Sequence, residues 1–597
     1  MSKLAFKLDL GRPAEHEFRV ALEFDALELT EMGLAGVGRA ENQRQGGSLE
    51  LFLPVWTPGS YLLREYSRHV SRFSAHDRAT GAALETTKTR KNRWSIDLPP
   101  HVRGVRATWS VYAHELTVRT ADLTEHHAFW NGACLFLWPV AATSGKPLDL
   151  AATIDVSLPR GWELATQLSS EALASGALRL HARGLDELVD TPCLAGTLRT
   201  LRFEAAGKPH SFVLEGLEGI EPPATLVPDT RRIIEEAAKL FGGELPYDHY
   251  SFLSLFSDQG RGGLEHLTSS VLLAPRTTWA PRKSYEDFLS LVAHEHFHLW
   301  NVKRIVPAPL GAFDYENENY TTLLWVAEGF TSYYDDHLCL RAGIFSKDRY
   351  LEILAEGIAD LRSVPGRREH PLAMASYDTW IKFYRPDEHT KNSTQSYYSS
   401  GALAALYLDL TVRASTRGNR SLDDVMRELW QRARLEGGTY TSADVVACLS
   451  EVSGIDMKGL VAELIDEPFD PHFDKLLAQF GIRIVRKEDR SAYFGITFKS
   501  DELVVQSVVV GDPAHEAGLA PGDEILALAG IRVKPSSWKN VLENLDCVGK
   551  PLEALIARRG KILVKSLTPR STPATLKLEL VPDPTEEQKL LRQSWLS

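Results

Sequence analysis

The first 220 residues place apolar and polar side chains in short alternating stretches. Residues 18–24 alternate, and residues 49–53 form a short apolar run. A period of two is typical of a strand with one buried face. Turn signals such as 159–161 separate the stretches, and the aromatic-rich stretch 55–61 is interpreted as a packed corner rather than a binding site. The pattern predicts a β-rich N-terminal domain, a sandwich or curved sheet, over residues 1–220.

The period of the apolar positions changes near residue 229. The predicted elements that follow are a helix, a strand, a glycine-rich bend and a second strand, at 229–240, 250–256, 260–266 and 269–274. Ser284 followed by Asp287 then resembles a capping box, which predicts the start of another helix. We expect a mixed α+β region over residues 221–341.

Beyond residue 342 the apolar positions recur mostly at helical spacing as far as residue 483. A loop predicted at 364–395 precedes a small-residue-rich helix. Residues 484–582 return to short strands with a short helix and a turn, and residues 583–597 either fray or pack as a short helix. The chain is therefore predicted to be a multidomain α+β protein.

Composition excludes some classes of function. The 597-residue chain carries a net charge of −12, which disfavours nucleic acid or an anionic membrane as a partner. Its five cysteines are scattered without a C-x-x-C pair and are expected to be reduced. The N-terminal residues lack an uninterrupted apolar stretch, and no apolar run is long enough to cross a bilayer. A cytoplasmic location is the simplest expectation if residue 1 is the natural start.

The most informative motif is H-E-x-x-H, formed by His294, Glu295 and His298. On a helix the two histidines lie on one face, about 40° apart around the axis, and can share one metal ion. Glu295 can reach a metal-bound water without coordinating the metal itself. The motif therefore predicts a zinc hydrolase. These residues alone leave open the alternative of a histidine-rich, half-buried helix without a metal.

Three further positions carry candidate chemistry. Catalytic zinc needs a third protein ligand, and Glu328 lies within a second predicted helix at 321–334. A buried carboxylate without a metal is the alternative, although it is costly unless it is paired. Glu265, in the glycine-rich bend, is either functional or an ordinary loop carboxylate. Tyr397 and Tyr398 begin a helix from which a phenol can project into a cleft.

Five motifs are spread along most of the chain. They lie at 56–61, 262–266, 294–304, 313–315 and 325–334. Through them the sequence resembles the glycyl aminopeptidase family of zinc metallopeptidases. The resemblance implies a β-rich N-terminal domain, a thermolysin-like and mostly helical catalytic domain over 221–483, and a C-terminal PDZ domain over 484–582.

The same resemblance implies roles for the metal site. One Zn²⁺ per chain would be held by His294, His298 and Glu328, and Glu295 would act as the general base. The substrates implied are peptides with a free N-terminus.

A more distant resemblance concerns substrate recognition. The large one-zinc aminopeptidases carry a Gly-x-Met-Glu-Asn loop whose glutamate binds the substrate's α-ammonium. Glu265 matches that glutamate, whereas Leu264 and His266 replace the methionine and the asparagine. Those relatives also use a tyrosine in a Tyr-x-x-Gly setting to stabilise the oxyanion. Tyr398 fits that setting better than Tyr397, and the choice between them stays open.

The segment 511–523 is similar to the bacterial type of PDZ domain. By this resemblance Tyr493, Phe494, Gly495 and Ile496 form the loop whose backbone N–H groups receive a peptide C-terminal carboxylate. The alternative is that the protein's own chain fills the groove.

The sequence thus predicts a zinc aminopeptidase that releases small N-terminal residues, glycine or alanine, from peptides. A zinc endopeptidase and a non-catalytic PDZ scaffold remain as alternatives. The physiological substrate and the oligomeric state stay open.

Overall fold

The computed structural model describes residues 3–25, 39–40, 43–44, 47–142, 144–258, 260–435 and 437–597. The chain forms two compact units. The first comprises Met1–Arg304 and Ala312–Asn319, and the second comprises Ile305–Gly311 and Tyr320–Ser597. Across the described ranges, no helix combines the length and apolar character that a membrane crossing requires.

The largest sheet of the first unit has eight strands. In sheet order they are Ser169–Ala172, Leu178–Ala182, Ala151–Ser157, Lys3–Asp9, Glu17–Asp25, Gly104–Tyr112, Val70–Asp77 and Ala83–Leu84. In Glu17–Asp25 the side chains of Phe18, Val20, Leu22 and Phe24 are buried, so the predicted alternation is confirmed.

Two four-stranded sheets complete the β-rich region. One consists of Ala121–Leu123, His127–Trp130, Cys193–Gly196 and Glu163–Ala165, and the other of Trp138–Pro139, Gly47–Phe52, Arg93–Leu98 and Thr86–Arg90. Arg39–Ala40 pairs with Gln43–Arg44, and Gly132–Leu135 and Leu185–Val189 are short helices. A shared core includes Phe6, Trp130 and Trp138. The predicted β-rich N-terminal domain is confirmed.

A five-stranded sheet follows. Its strands in sheet order are Arg199–Ala205, Lys208–Glu215, Tyr250–Ser257, Ser269–Pro275 and Gly262–Glu265. The three central strands are parallel, and each edge strand is antiparallel to its neighbour. The interpretation of 260–266 as a bend was wrong for most of its length, because Gly262–Glu265 pairs with Ser269–Pro275 as an edge strand.

The helices of this region are Leu226–Leu240 and Arg282–Phe297, and we call the second the histidine helix. It begins two residues before Ser284, so the predicted capping box was wrong. The Ser284 N–H donates to the Pro281 carbonyl at 3.0 Å. Ser284 therefore lies within the first helical turn, where it does not act as the N-terminal cap.

The second unit is mostly helical as far as residue 479. Its helices are Leu324–Ala327, Gly329–Arg341, Lys347–Arg362, Leu372–Tyr377, Thr390–Ser393, Ser399–Ser415, Leu422–Leu435, Ser442–Ser453, Lys458–Ile465 and Phe473–Gln479. Val306–Pro307 pairs in parallel with Thr439–Tyr440. The segment predicted as a loop at 364–395 contains two of these short helices, so that prediction was wrong in part.

The C-terminal part of the second unit returns to short strands. They are Ile482–Lys487, Ala492–Tyr493, Ile496–Phe498, Val505–Val508, Glu524–Leu528, Ile531–Arg532, Leu552–Arg558, Lys561–Leu567, Arg570–Ser571 and Thr575–Leu580, with helices at Pro513–Glu516 and Pro535–Asn544. The tail forms the helix Glu586–Leu596, whose Trp595 and Leu596 are buried, so it packs rather than frays. A multidomain α+β fold is confirmed.

Candidate functional site

Two imidazoles come together where the histidine helix ends, one in its last turn and one on the residue that follows it. The Nε2 atoms of His294 and His298 lie 3.1 Å apart, and the rings are nearly perpendicular at 83°. His298 Nδ1 lies 2.8 Å from the carbonyl oxygen of Asn301. Because a carbonyl can only accept, Nδ1 of His298 carries the proton and Nε2 presents a lone pair. Such a backbone contact is a common way to orient a metal-binding histidine.

Two carboxylates lie beside His298. Glu265 and Glu295 are both buried, and their ligand atoms and that of His298 all lie within 4.8 Å of one another. Two buried negative charges at this spacing repel each other, so a cation between them is stabilising. Imidazole nitrogens with carboxylate oxygens are the donor set that zinc prefers. The donor atoms of these residues therefore fit a zinc ion.

Gly263, on the edge strand, explains how the Glu295 carboxylate fits. A Cβ atom at Gly263 would lie 2.0 Å from Glu295 Oε1, far inside any permitted contact. The edge strand therefore passes directly over the carboxylate because residue 263 has no side chain.

The opposite face of the histidine helix holds His296 in a different setting. Tyr247 Oη lies 2.9 Å from His296 Nε2 and 2.8 Å from His210 Nε2, and His210 Nδ1 donates to the Lys208 carbonyl at 2.9 Å. Tyr247 therefore donates to His210 and accepts from His296. Burial lowers the pKa of His210 to about 4 and holds the pKa of His296 well below its usual value. Both rings are neutral and structural.

The residue after Glu265 contacts the carboxylate of Asp190. His266 Nδ1 lies 3.3 Å from Asp190 Oδ1, and the Leu267 N–H donates to Asp190 Oδ2 at 3.0 Å. Although burial opposes it, the nearby Lys303 ammonium, with His266, lowers the pKa of Asp190 to about 2. The end of the edge strand is thereby fixed by a charged group.

Glu328 lies in the second unit, at the junction of Leu324–Ala327 and Gly329–Arg341. Its side chain is 2% exposed. Its N–H donates to the Leu324 carbonyl at 2.7 Å, and its carbonyl accepts from the Ser332 N–H at 2.8 Å. The predicted single helix is thus two helices that meet at the acid, with continuous hydrogen bonding around it.

Tyr397 and Tyr398 differ in their surroundings. Tyr397 is fully buried, and its hydroxyl accepts from Thr379 Oγ1 at 2.9 Å. Tyr398 is half-buried. Desolvation, followed by the negative charge of Glu328, raises the pKa of Tyr398 well above its usual value. Tyr398 is therefore a neutral hydroxyl donor in the electrostatic field of Glu328.

A glycine pair joins the two helices that carry these residues. A Cβ at Gly329 would lie 2.6 Å from Gly401 Cα, and one at Gly401 would lie 2.8 Å from Gly329 Cα. The backbones of Gly329–Arg341 and Ser399–Ser415 are in direct contact there. Glu328 and Tyr398 flank that contact along the chain, so it sets their separation.

The candidate carboxylate loop of the C-terminal segment connects two short strands. Tyr493 Oη donates to Asp512 Oδ2 at 2.8 Å, and the Ala514 N–H donates to the Phe494 carbonyl at 2.9 Å. The Trp538 ring packs against Phe494 at 5.8 Å. Gly495 and Ile496 complete the loop, so the four predicted residues are adjacent, next to an aromatic side chain of the protein itself.

The structure thus brings His294, Glu295, His298 and Glu265 together in the first unit and places Glu328 and Tyr398 in the second. The sequence analysis missed three supporting residues. These are Gly263, Asn301 and Gly401. The only signal for them was that each lies in or next to one of the motifs, and nothing in spacing alone distinguishes a glycine that makes room for a carboxylate from one that makes a turn.

Two family domains match this chain. Residues 5–197 match the Peptidase M61 N-terminal domain, and residues 287–404 match the M61 glycyl aminopeptidase domain. Aminopeptidase N from Caulobacter vibrioides is 26% identical over 235 residues, which is 38% of this chain and 24% of that protein. The chain therefore carries two regions that are similar to domains of the Peptidase M61 family.

Two other similar proteins match very different shares of this chain. A putative serine protease, HhoB, from Synechocystis is 34% identical over 82 residues, 14% of this chain and 20% of that protein. This chain therefore spans only about a quarter or less of the length of the curated relatives it matches. The crystal structure of an aminopeptidase N family protein from Idiomarina loihiensis has a TM-score of 0.87 at 29% identity and covers 100% of both chains. The fold of the described residues is thus similar to the fold of that protein.

Proposed function

We propose, from the M61 family domains that this chain carries, that it is a zinc-dependent aminopeptidase that removes small N-terminal residues from peptides. The observation that carries the proposal is the pair of histidine Nε2 atoms 3.1 Å apart, next to two buried carboxylates. A hydrolytic metal site needs the first feature, and recognition of a free ammonium needs a carboxylate beyond those that serve the metal.

The proposed metal ligands are His294 Nε2, His298 Nε2 and Glu328, with one Zn²⁺ per chain. The Asn301 carbonyl keeps the required tautomer of His298. When bound, zinc lowers the pKa of a water molecule and polarises the scissile carbonyl. Glu328 would complete the ligand set with the negative charge that a His₂Glu site uses.

Glu295 is proposed as the general base. Its carboxylate takes a proton from the attacking water and passes it to the leaving amine. Because Gly263 has no side chain, the Glu295 carboxylate can lie against the edge strand. From there it is proposed to reach both the attacking water and the leaving amine. Burial excludes the bulk water that would otherwise compete for this proton.

Glu265 is proposed to bind the substrate's α-ammonium. A buried carboxylate forms a strong charge-assisted hydrogen bond with an ammonium group, and this contact aligns the first peptide bond with Glu295. The preference for glycine and alanine rests on the glycyl aminopeptidase domain that residues 287–404 match.

Tyr398 is proposed to donate a hydrogen bond to the oxyanion of the tetrahedral intermediate. A tyrosine is protonated at neutral pH, so it has the O–H donor that this role requires, and burial raises the pKa of Tyr398 further. Tyr397 is the weaker choice, because it is fully buried, whereas Tyr398 is partly exposed.

We also propose the domain assignments of the sequence analysis. They are a thermolysin-like catalytic domain at 221–483, a PDZ domain at 484–582 with the loop Tyr493–Ile496, and a tail at 583–597. The alternative for that loop is a groove that the protein's own chain fills. A peptide C-terminus in that groove is the other occupant to test.

Metal analysis of the purified protein, with a substrate panel, tests the proposal. The panel consists of glycyl, alanyl and leucyl p-nitroanilides, N-acetyl-alanyl p-nitroanilide and an N-blocked peptide. We expect about one zinc per chain, hydrolysis of the glycyl and alanyl compounds, and no cleavage of the blocked ones. Cleavage of the N-blocked peptide would show an endopeptidase, and absence of both zinc and hydrolysis would favour a non-catalytic scaffold.

A further inference from the structure

A tight turn of the β-rich region lies against the candidate amine-binding acid. Residues 57–60 form this turn, in which the Ser60 N–H donates to the Thr57 carbonyl at 3.1 Å. Gly59 has φ +80, a conformation that favours glycine. We call residues 57–60 the Gly59 turn.

The Gly59 turn is firmly anchored within the first unit. The Val55 N–H donates to the Tyr315 carbonyl at 2.9 Å, and Trp56 Nε1 donates to the Asp314 carbonyl at 2.8 Å. Arg64 Nη2 donates to Ser60 Oγ at 2.9 Å. Anchors on both sides of the turn prevent it from moving away from its neighbours.

The closest neighbour of Gly59 is the carboxylate of Glu265. A Cβ atom at position 59 would lie 2.6 Å from Glu265 Oε1, 2.7 Å from Oε2 and 2.6 Å from Leu264 Cδ1. The Gly59 turn therefore leaves no room for a side chain between its backbone and the two carboxylate oxygens. Glu295 and His298 lie within 4.8 Å of the same acid. Glu265 is thus confined between the turn and the residues of the proposed reaction centre.

We infer that Gly59 is a positioning residue for amine recognition, and that the Gly59 turn restricts substrates to those with an unsubstituted primary α-ammonium. This inference rests on the proposed aminopeptidase function. With one side of the carboxylate covered by backbone, only a compact cation can approach from the remaining side. An N-methyl or N-acyl group adds bulk and replaces an N–H donor, so the carboxylate would be left with fewer hydrogen bonds.

The first test compares two glycine substitutions with the same backbone strain. Gly161 also lies in a turn of the β-rich region, with φ +86, and a Cβ there would meet no atom within 4 Å. We expect Gly59→Ala to raise KM for alanyl p-nitroanilide by about 10-fold or more with kcat little changed, because a displaced carboxylate binds the ammonium poorly. Gly161→Ala should leave both constants as in the unsubstituted protein, and zinc content should be equal in both variants. Equal kinetics for the two variants would overturn the inference.

The second test asks whether Gly59 is needed to make room for the Glu265 carboxylate. Glu265→Asp shortens the side chain by one methylene and so moves the carboxylate away from Gly59. The double variant should therefore have the same KM as Glu265→Asp alone. Multiplied losses in the double variant would show that the two residues act independently. Rescue of Gly59→Ala by Leu264→Ala, and not by Glu265→Asp, would assign the contact to packing and overturn the inference.

A third measurement needs no variant and covers the case in which Gly59→Ala does not fold. The unsubstituted protein should hydrolyse alanyl p-nitroanilide with a kcat/KM at least about 100-fold above that for the N-methyl-alanyl compound. Comparable values would overturn the inference while leaving the aminopeptidase proposal intact. If the zinc-loaded protein hydrolyses neither compound, the proposed function itself fails.

Discussion

The two faces of the histidine helix hold chemically identical side chains in opposite roles. On one face the Nε2 atoms of His294 and His298 converge, and the Asn301 carbonyl sets the tautomer of His298. On the other face His296 is linked through Tyr247 to His210 and kept neutral by burial. The difference teaches that helical spacing decides which histidines share a face, whereas partners on other elements decide what each histidine does.

The largest contrast is expected between His298→Gln and His296→Gln. Loss of His298 removes a proposed ligand, so zinc affinity should fall by more than the 10–100-fold typical of outer-shell changes. His296→Gln should retain zinc and lose about 1–3 kcal/mol of stability, because Tyr247 loses a buried partner. Metal analysis and denaturant unfolding of both variants measure the contrast. Zinc loss in His296→Gln alone would reverse the assignment of the two faces.

Glu295→Gln tests the residue between the two faces. We expect kcat to fall by about 10²–10⁴-fold, because the amide cannot accept the proton from water. KM and zinc content should stay unchanged, since the side chain keeps its size beneath Gly263. Full activity of this zinc-loaded variant would exclude Glu295 as the base.

A smaller contrast is expected between Tyr398→Phe and Tyr397→Phe. The first removes the proposed oxyanion donor and should lower kcat by about 10²–10³-fold. The second removes the hydrogen bond with Thr379 and should lower stability by about 0.5–1.5 kcal/mol with kcat little changed. Steady-state kinetics with thermal unfolding compare the pair. A large loss of kcat in Tyr397→Phe, with kcat little changed in Tyr398→Phe, would make Tyr397 the oxyanion donor.

The last prediction concerns the pH dependence of stability on the His296 face. The folded-state pKa of His210 is about 4 and that of His296 lies well below 6.5. As the pH falls from about 6.5 toward 4, these two histidines therefore become protonated in the unfolded chain but stay neutral in the native state. Stability should be complete above about pH 6.5 and decline by about 1.4 kcal/mol per pH unit for each histidine.

Urea unfolding at several pH values measures this decline. His296→Gln should flatten the slope, whereas Tyr397→Phe should leave it unchanged. An unaltered slope in His296→Gln would show that His296 is not one of the groups responsible.

The local parts of this picture were accessible from the sequence. The alternation around Phe18 and the shared face of His294 and His298 follow from periods of two and 3.6 residues, which are properties of the backbone. The edge strand at Gly262–Glu265 was not predicted, because two adjacent glycines indicate a bend unless the partner strand is known. The helix start at Arg282 was missed because Ser284 has a favourable cap composition but lies inside the first turn.

The supporting contacts of the site could not be predicted for a different reason. Gly59 contacts Glu265 across more than 200 intervening residues, and Gly329 contacts Gly401 across more than 70. Such contacts depend on tertiary packing, which a single sequence does not encode in any local period. The partner of His298, the Asn301 carbonyl, is a backbone atom that every residue possesses, so no residue type marks it.

The glycine pair has a practical consequence for protein engineering. The backbones are in contact at Gly329 and Gly401. No side chain lies between them there that could change its conformation if the crossing angle of the two helices changed. A chimaera that takes one helix from this chain and the other from a relative would move Glu328 with respect to Tyr398. Segments exchanged between relatives should therefore include both helices, with everything between residues 324 and 415 taken from one parent.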